Sequence, residues 1–484
     1  MAQLDGSNML DASKPGTPDW WLRRLEKKLR DRQKGLRRLD DYYDGRHRLL
    51  FSSEKFRNAF GGLFDDFADN WCPIVVDAVE DRLHVEGFRF GDEQADRDAW
   101  RIWQANALDD ESHLGQQAAI LKAEAALIVW NNPRDERTPK ITVEDPAQVV
   151  VEMVPGTRRE RAAALKVWLD DWTGHEMATL YLPDGLYKYE GSVTAGAMSS
   201  GLVLPAGVGT FSSWRPREVA GEPWPLPNPL RVVPVVPLRN RERLLQPGRS
   251  EIANVIPLQD GVNKLIADML VASEFVAWPQ RWATGLEVPR DEKTGQPVEA
   301  FNVAFDRLMW AKKSEARFGN FDAADLQNFV VGVEMLVQHI ASQSATPPHY
   351  FYLKGDFPSG ESILSAESSL TAKAGRKARS FGESYEEVER LAFAVLDDPR
   401  SGFVGAETIW RDFERRVESV VADAATKRQS LGVPWAQLME DLGYSPTQVE
   451  RMRVERTRDM VEQAAFAPPT AIALPGPLAL PAGS

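Results

Sequence analysis

Residues 347–370 read PPHYFYLKGDFPSGESILSAESSL. Two prolines open the stretch, three aromatics follow, and Pro358 to Gly360 closes it. Proline cannot continue a helix and pushes the residue before it out of helical geometry, so this stretch separates two helices. Upstream, Leu326, Phe329, Val330, Val333, Val337 and Ile340 fall on one stripe, predicting a helix over about 322–343 with Asp322 near its start. Downstream, a third long helix is expected from Ser359 or Gly360 to about Leu396. Gly375 and Gly382 fall inside it, each weakening a helix by roughly 1 kcal/mol, which points to a bend or to close packing. A loop so placed is either a slack connector or a working part.

Working outward, Ile252, Val255, Ile256, Val262, Leu265, Ile266, Met269, Leu270 and Phe275 predict another helix, stopped at Pro279 and preceded by a cap region at Ser250 to Asn254. Residues 279–321 read as short strands ("RWATGLEV", "DRLMWAKK"). Residues 140–240 are β-rich, with Asp184-Gly185 as a hairpin turn and 191–229 as a Pro/Gly-rich surface excursion. Nearer the N-terminus, Trp21, Leu22, Leu25, Leu29, Leu36 and Leu39 predict a helix from Asp19. Its other face carries nine cations from Arg23 to Arg38, read as a nucleic-acid or partner surface or, preferably, as a solvated face with acidic neighbours. A helix from Cys72 to Leu83, a strand "LHVEGFRF", a helix with Trp100 and Trp103, and a helix over about 116–135 ahead of "ALIVW" complete that half. Residues 397–466 read as a small helical region with a helix start at Ser445-Pro446. Residues 1–18 and 467–484 are expected to be a flexible arm and a low-complexity tail.

Composition bounds the function. With 43% hydrophobic and 27% charged residues, the chain reads as a folded, soluble protein. There is neither a leader pattern nor an apolar run approaching a bilayer's ~20 residues. A single cysteine, Cys72, excludes an internal disulfide and points to an intracellular origin or assembly. A net charge of −13 argues against tight DNA binding, but not against a surface past which DNA slides. The signatures of catalysis fail one by one. No phosphate-binding loop occurs, Gly207-Val208-Gly209 lacks a third glycine, and "GHEMAT" puts Thr179 where a zinc helix needs its second histidine. The residues predict no enzyme, cofactor or metal.

Six stretches, in order, carry a resemblance: "YYDGRHRLLF" (42–51), "DNWCPIVVDAVEDRLHVEGF" (69–88), "VPVVPLRNRERLLQPGRSEIANVIPLQDGVNKLIADML" (233–270), "WPQRWATG" (278–285), "PHYFYLKGDFPSGESILSAESSL" (348–370) and "LMEDLGYSPTQVERM" (438–452). Together they resemble the bacteriophage portal proteins of the SPP1 type, as found in phages of actinobacteria, over about 20–465. The resemblance implies an α+β portal fold: an α/β wing (19–255), a stem helix (256–278), a small α/β clip (279–321), a second stem helix (322–343), a tunnel loop (344–358), a long kinked wing helix (359–396) and a helical crown (397–466). It implies a homo-oligomeric ring, usually of twelve subunits, at one capsid vertex of the virion, assembled in the host cytoplasm. Double-stranded DNA would pass through its channel without sequence preference during packaging and ejection. The implied partners are the terminase large subunit docked on the clip, a head–tail adaptor, the major capsid protein and the scaffold, with no membrane. In the loop, Lys354 would touch phosphate beside Asp356, while Tyr350, Phe351 and Tyr352 pack or line the bore. Lys373, Arg376, Lys377 and Arg379 form either a DNA-facing patch or salt bridges to an acidic neighbour. The alternatives are another phage head or minor capsid component and, from a different class, a soluble nucleic-acid-processing enzyme.

Overall fold

The computed structural model describes residues 14–47, 49, 67–91, 95–192, 213–277, 281–284, 317–320, 325–351, 360–413, 425–444 and 446–466. In chain order the elements are α1 (Pro18–Tyr43), α2 (Cys72–Glu80), β1 (Val85–Phe90), α3 (Arg97–Ala105), α4 (Leu108–Lys122), β2 (Glu124–Trp130), β3 (Lys140–Glu144) and β4 (Val149–Met153). There follow β5 (Arg161–Asp170), β6 (His175–Tyr181), β7 (Gly185–Ser192), β8 (Trp214–Pro216), β9 (Leu226–Pro227), β10 (Val235–Arg239), α5 (Ile256–Ala277), β11 (Arg281–Thr284) and β12 (Arg317–Asn320). The last are α6 (Gln327–Ser344), α7 (Gly360–Val395), β13 (Ala406–Trp410), α8 (Trp435–Asp441) and α9 (Pro446–Phe466). The fold class is α+β.

Helix α1 starts where Thr17 accepts a hydrogen bond from the Trp20 amide and Pro18 supplies a preset first-turn φ. Its Leu22, Leu25 and Leu29 lie on the antiparallel sheet β4-β5-β6-β7-β8, against Val150, Leu165, Val167, Leu180 and Tyr189. The larger core joins α2, α3, α4, β2, α5, α6 and α7, and α7 buries Phe381, Tyr385, Val388 and Phe393 in it. Helices α5 and α6 run antiparallel and interlock through two glycines. A Cβ at Gly261 would lie 3.1 Å from Leu336 Cδ1, and one at Gly332 would lie 3.1 Å from Leu265 Cδ1.

Several expectations change on contact with the fold. The region 397–466 is not purely helical, because β13 pairs antiparallel with β1, Phe88 opposite Thr408 and Phe90 opposite Ala406. Burial of Ala406 and Phe90 against α7 stabilises this pairing. The helix expected over 116–135 is α4, which begins and ends earlier. Ala123 turns the chain with φ 77°, and the β-branched run after it pairs with both β3 and β10. The hairpin turn sits one residue before the expected dipeptide, at Pro183-Asp184, closed by the Leu182 amide bonding the Gly185 carbonyl at 3.0 Å. Helix α7 runs unbroken through Gly375 and Gly382. At Gly382 the reason is close packing: a Cβ there would meet Trp410 Nε1 at 3.4 Å and Thr408 at 3.5 Å. The start of the N-terminal arm, "DRLMWAKK", Ser445 and the tail lie outside the described residues.

Candidate functional site

Three stretches distant in sequence meet at the first turns of α5. The Gln259 Oε1 accepts from the Trp71 amide at 2.8 Å, and its amide nitrogen donates to the Asp69 carbonyl. The Asn263 Oδ1 accepts from the Asp69 amide at 2.9 Å, while its NH2 group donates to His47 Nε2 at 2.7 Å. The Tyr42 hydroxyl donates to Asp260 Oδ1 at 2.7 Å and stacks on His47, ring centroids 4.3 Å apart. Burial pushes the His47 pKa down, so the ring is neutral and free to accept from Asn263. Cys72, beside this cluster, is fully buried, and burial together with Asp260 pushes its thiol up to about 12; it is an inert core residue.

A second cluster fixes the root of the predicted loop. Helix α6 ends at Ser344, with Ala345 left-handed at φ 53°, and Pro348–Phe351 form one 3-10 turn. Phe351 is buried against Trp71, centroids 5.8 Å apart. The buried Arg82 at the end of α2 donates to the Tyr350 hydroxyl at 3.1 Å, to Glu367 of α7 at 3.0 Å and to the Phe413 carbonyl at 2.7 Å. The other Glu367 oxygen takes His349 at 3.2 Å. The loop therefore leaves a fixed base. Tyr350 is half-buried and tied, and Phe351 is packed inward within its own chain rather than free to line a bore. Tyr352, Lys354 and Asp356 lie outside the described residues.

A third cluster splits the predicted basic patch. Lys373 and Lys377 are each only 5% exposed, so they do not face outward. Glu251 takes Lys373 at 3.0 Å, Lys377 at 2.5 Å and Arg241 at 3.4 Å. Burial alone would push the Glu251 carboxyl up, but the two lysines outweigh it and hold it at about 2. Burial pushes Lys377 down; Glu251 offsets part of that and Lys373 adds to it, leaving about 8. Arg376, on the same flank of the helix, and Arg379 are exposed. The acid that the two lysines share is Glu251 of the same chain. Periodicity carries the signal for their burial, since Lys373 and Lys377 continue the buried column of Phe381 and Tyr385 at four-residue spacing.

Six of the nine cations of α1, from Arg23 to Arg32, meet acids of their own chain. Arg24 and Lys28 share Glu152 at 3.0 and 2.7 Å, Lys27 pairs Asp31 at 2.6 Å, and the partly buried Arg32 bonds Glu124. His175 and Glu176 lie on strand β6, so the zinc-helix likeness has no helix to stand on. No helix among the described residues is long and apolar enough to cross a membrane.

Comparison with known proteins gives the family. The family model "Phage portal protein, SPP1 Gp6-like" matches residues 23–432. The portal protein of Mycobacterium phage L5 is 31% identical over 401 residues, covering 78% of this chain and 76% of the relative. That of Mycobacterium phage D29 is 32% identical over 403 residues, covering 78% and 77%. A chain from the solved virion of a native gene transfer agent particle aligns over 75% of this chain and 84% of its own, at 11% identity and a TM-score of 0.39. The chain belongs to the SPP1-type phage portal family. Its role is that of a phage portal, a structural component of the virion that forms an oligomeric ring in the capsid among other head proteins.

Proposed function

We propose that the chain forms a closed ring of about twelve copies, in keeping with the cyclic symmetry of soluble assemblies, and that double-stranded DNA passes through its axis. The observation that carries this reading is the family match across residues 23–432, which spans both clusters that fix α5 and the loop root. In this reading 19–255 is the wing, 256–278 and 322–343 are stem helices, and 279–321 is the clip that receives the terminase large subunit and then a head–tail adaptor. Residues 344–358 are the tunnel loop, 359–396 the long wing helix and 397–466 the crown, with 1–18 and 467–484 as arm and tail. Major capsid protein and scaffold contact the ring during assembly in the host cytoplasm. The DNA-facing groups are Tyr352, Lys354 and Asp356, with Tyr350 at the loop's fixed base and Arg376 and Arg379 as exposed cations. The antiparallel α5–α6 pair supports the stem assignment, because it joins a small β11–β12 sheet at one end to the loop root at the other.

The experiment is a native mass measurement with class averages of the purified chain. A ring of about a dozen copies around a central hole is expected, and Lys354→Ala in that ring should change DNA retention without changing its mass. A monomer or dimer over a wide concentration range would sink the ring reading.

A further inference from the structure

Between α7, the end of α6, the 3-10 turn at Glu251–Asn254 and the segment after β10 lies an open cavity of about 430 Å3. Among the described residues, six cationic side chains line it: Arg158, Arg239, Arg241, Lys373, Arg376 and Lys377. Only two carboxylates oppose them, and both are already shared. Glu242 takes Arg158 at 2.7 Å and Arg239 at 2.9 Å, while Glu251 takes both lysines and Arg241. Arg376, exposed at the rim, has no acidic partner among the described residues. The remaining help is weak: Lys373 also donates to the Ser344 carbonyl at 3.0 Å, and Lys377 to the Asn240 side chain.

Crowded cations at a partly enclosed site repel one another, and here six cationic side chains face two carboxylates that are already shared. An anion would complete the site. The cationic lining comes from three parts of the chain: α7, the end of β10 with the segment after it, and Arg158 between β4 and β5. A tetrahedral phosphate offers acceptor oxygens to all three, whereas a carboxylate is planar with two, and guanidinium forks match phosphate oxygens bidentately. We infer that this cavity is a binding site for a phosphate group, with Lys373 and Lys377 as its floor and Arg241 and Arg376 as its rim. Inorganic phosphate and the backbone of duplex DNA share that chemistry; the DNA source rests on the portal reading, the phosphate site does not.

The test is calorimetric titration of the full chain, in its assembled state, with inorganic phosphate at fixed ionic strength and chloride as control. Saturable binding is expected, weakened about tenfold in Arg376→Gln and in Arg241→Gln, each removing one charge-assisted donor. Arg376→Gln disturbs no ion pair among the described residues, so loss of binding there does not reduce to loss of fold. Duplex DNA that competes with phosphate identifies the backbone as a ligand; phosphate binding without competition assigns the site to free phosphate. Absence of saturable binding overturns the inference, as it would if a carboxylate of a neighbouring copy filled the cavity, and so does binding in both variants as tight as in the wild type. Native mass on the same sample separates the two readings, because a ring that ignores phosphate removes this site and leaves the portal role standing.

Discussion

Helices α1 and α7 both carry runs of cations, and the fold treats them oppositely. On α1, Arg30 and Arg32 are partly buried, but the outer cations meet their acids at the surface: Arg24 and Lys28 stay 49% and 51% exposed while sharing Glu152. On α7 the column Lys373, Lys377, Phe381, Tyr385, Glu389 is buried from end to end. Two lysines of that column share one glutamate, and at its other end Glu389 has neither carboxylate oxygen bonded. A charge exposed to water is nearly neutral for stability, whereas one inside depends wholly on its partner. What matters is a charge's position relative to the apolar stripe, not its count.

The sharpest way to break that contrast is Glu251→Gln. It leaves two interior lysines without an acid and should cost about 3–5 kcal/mol in denaturant unfolding. Because the folded Glu251 is held at about 2, below its ordinary 4.5, its contribution is fully present above 4.5 and fades as pH falls toward 2. The gap between wild type and Glu251→Gln should therefore narrow on acidification, and a gap independent of pH would remove the ion-pair account. Next comes Arg82→Met, which strips Glu367 and the Tyr350 hydroxyl of a buried cation and should cost about 3 kcal/mol. The carboxylate retains His349, which makes this loss smaller than the first.

Glu389 tests the mirror case, an interior acid without a cation. Burial, then Asp96, pushes its pKa well up, so the folded chain holds a proton that the unfolded chain gives up above 4.5. Stability is lost as pH rises past that value. Glu389→Met should raise the unfolding free energy at neutral pH by about 1–3 kcal/mol; a lower denaturation midpoint would mean the carboxyl has a partner in the assembled protein. Lys28→Ala should be the smallest effect, within about 1 kcal/mol and vanishing in high salt, as for any exposed pair. A larger loss would erase the distinction between the two helices.

The sequence made the long elements legible because their apolar periods extend over many turns: α5, α6 and α7 follow from Ile252 to Phe275, Leu326 to Ile340 and the run after Gly360. Strand β13 was not legible, since five residues beside a long amphipathic run carry little period and its partner β1 lies at the other end of the chain. The polar cluster at α5 had a signal that the apolar pattern hid. Gln259 and Asn263 stand one turn apart on a buried face, where polar groups need partners. The division of the basic patch was half legible. The four-residue column marks Lys373 and Lys377 as interior, but nothing local to α7 points to Glu251 as the acid they share.

The glycine notches of α5 and α6 have a mechanical consequence. Leu336 seats over Gly261 and Leu265 over Gly332, and at both places a Cβ would press on the leucine's Cδ1 at 3.1 Å. Sliding one helix along the other by a turn would lift both leucines out of their seats together, so the pair resists shear and behaves as a strut. One end of that strut leads to the antiparallel β11–β12 pair, and the other ends at Ser344, shortly before the turn that carries Tyr350 and Phe351. Slip between the helices is thereby opposed, and displacement of the β11–β12 end is coupled to the loop root.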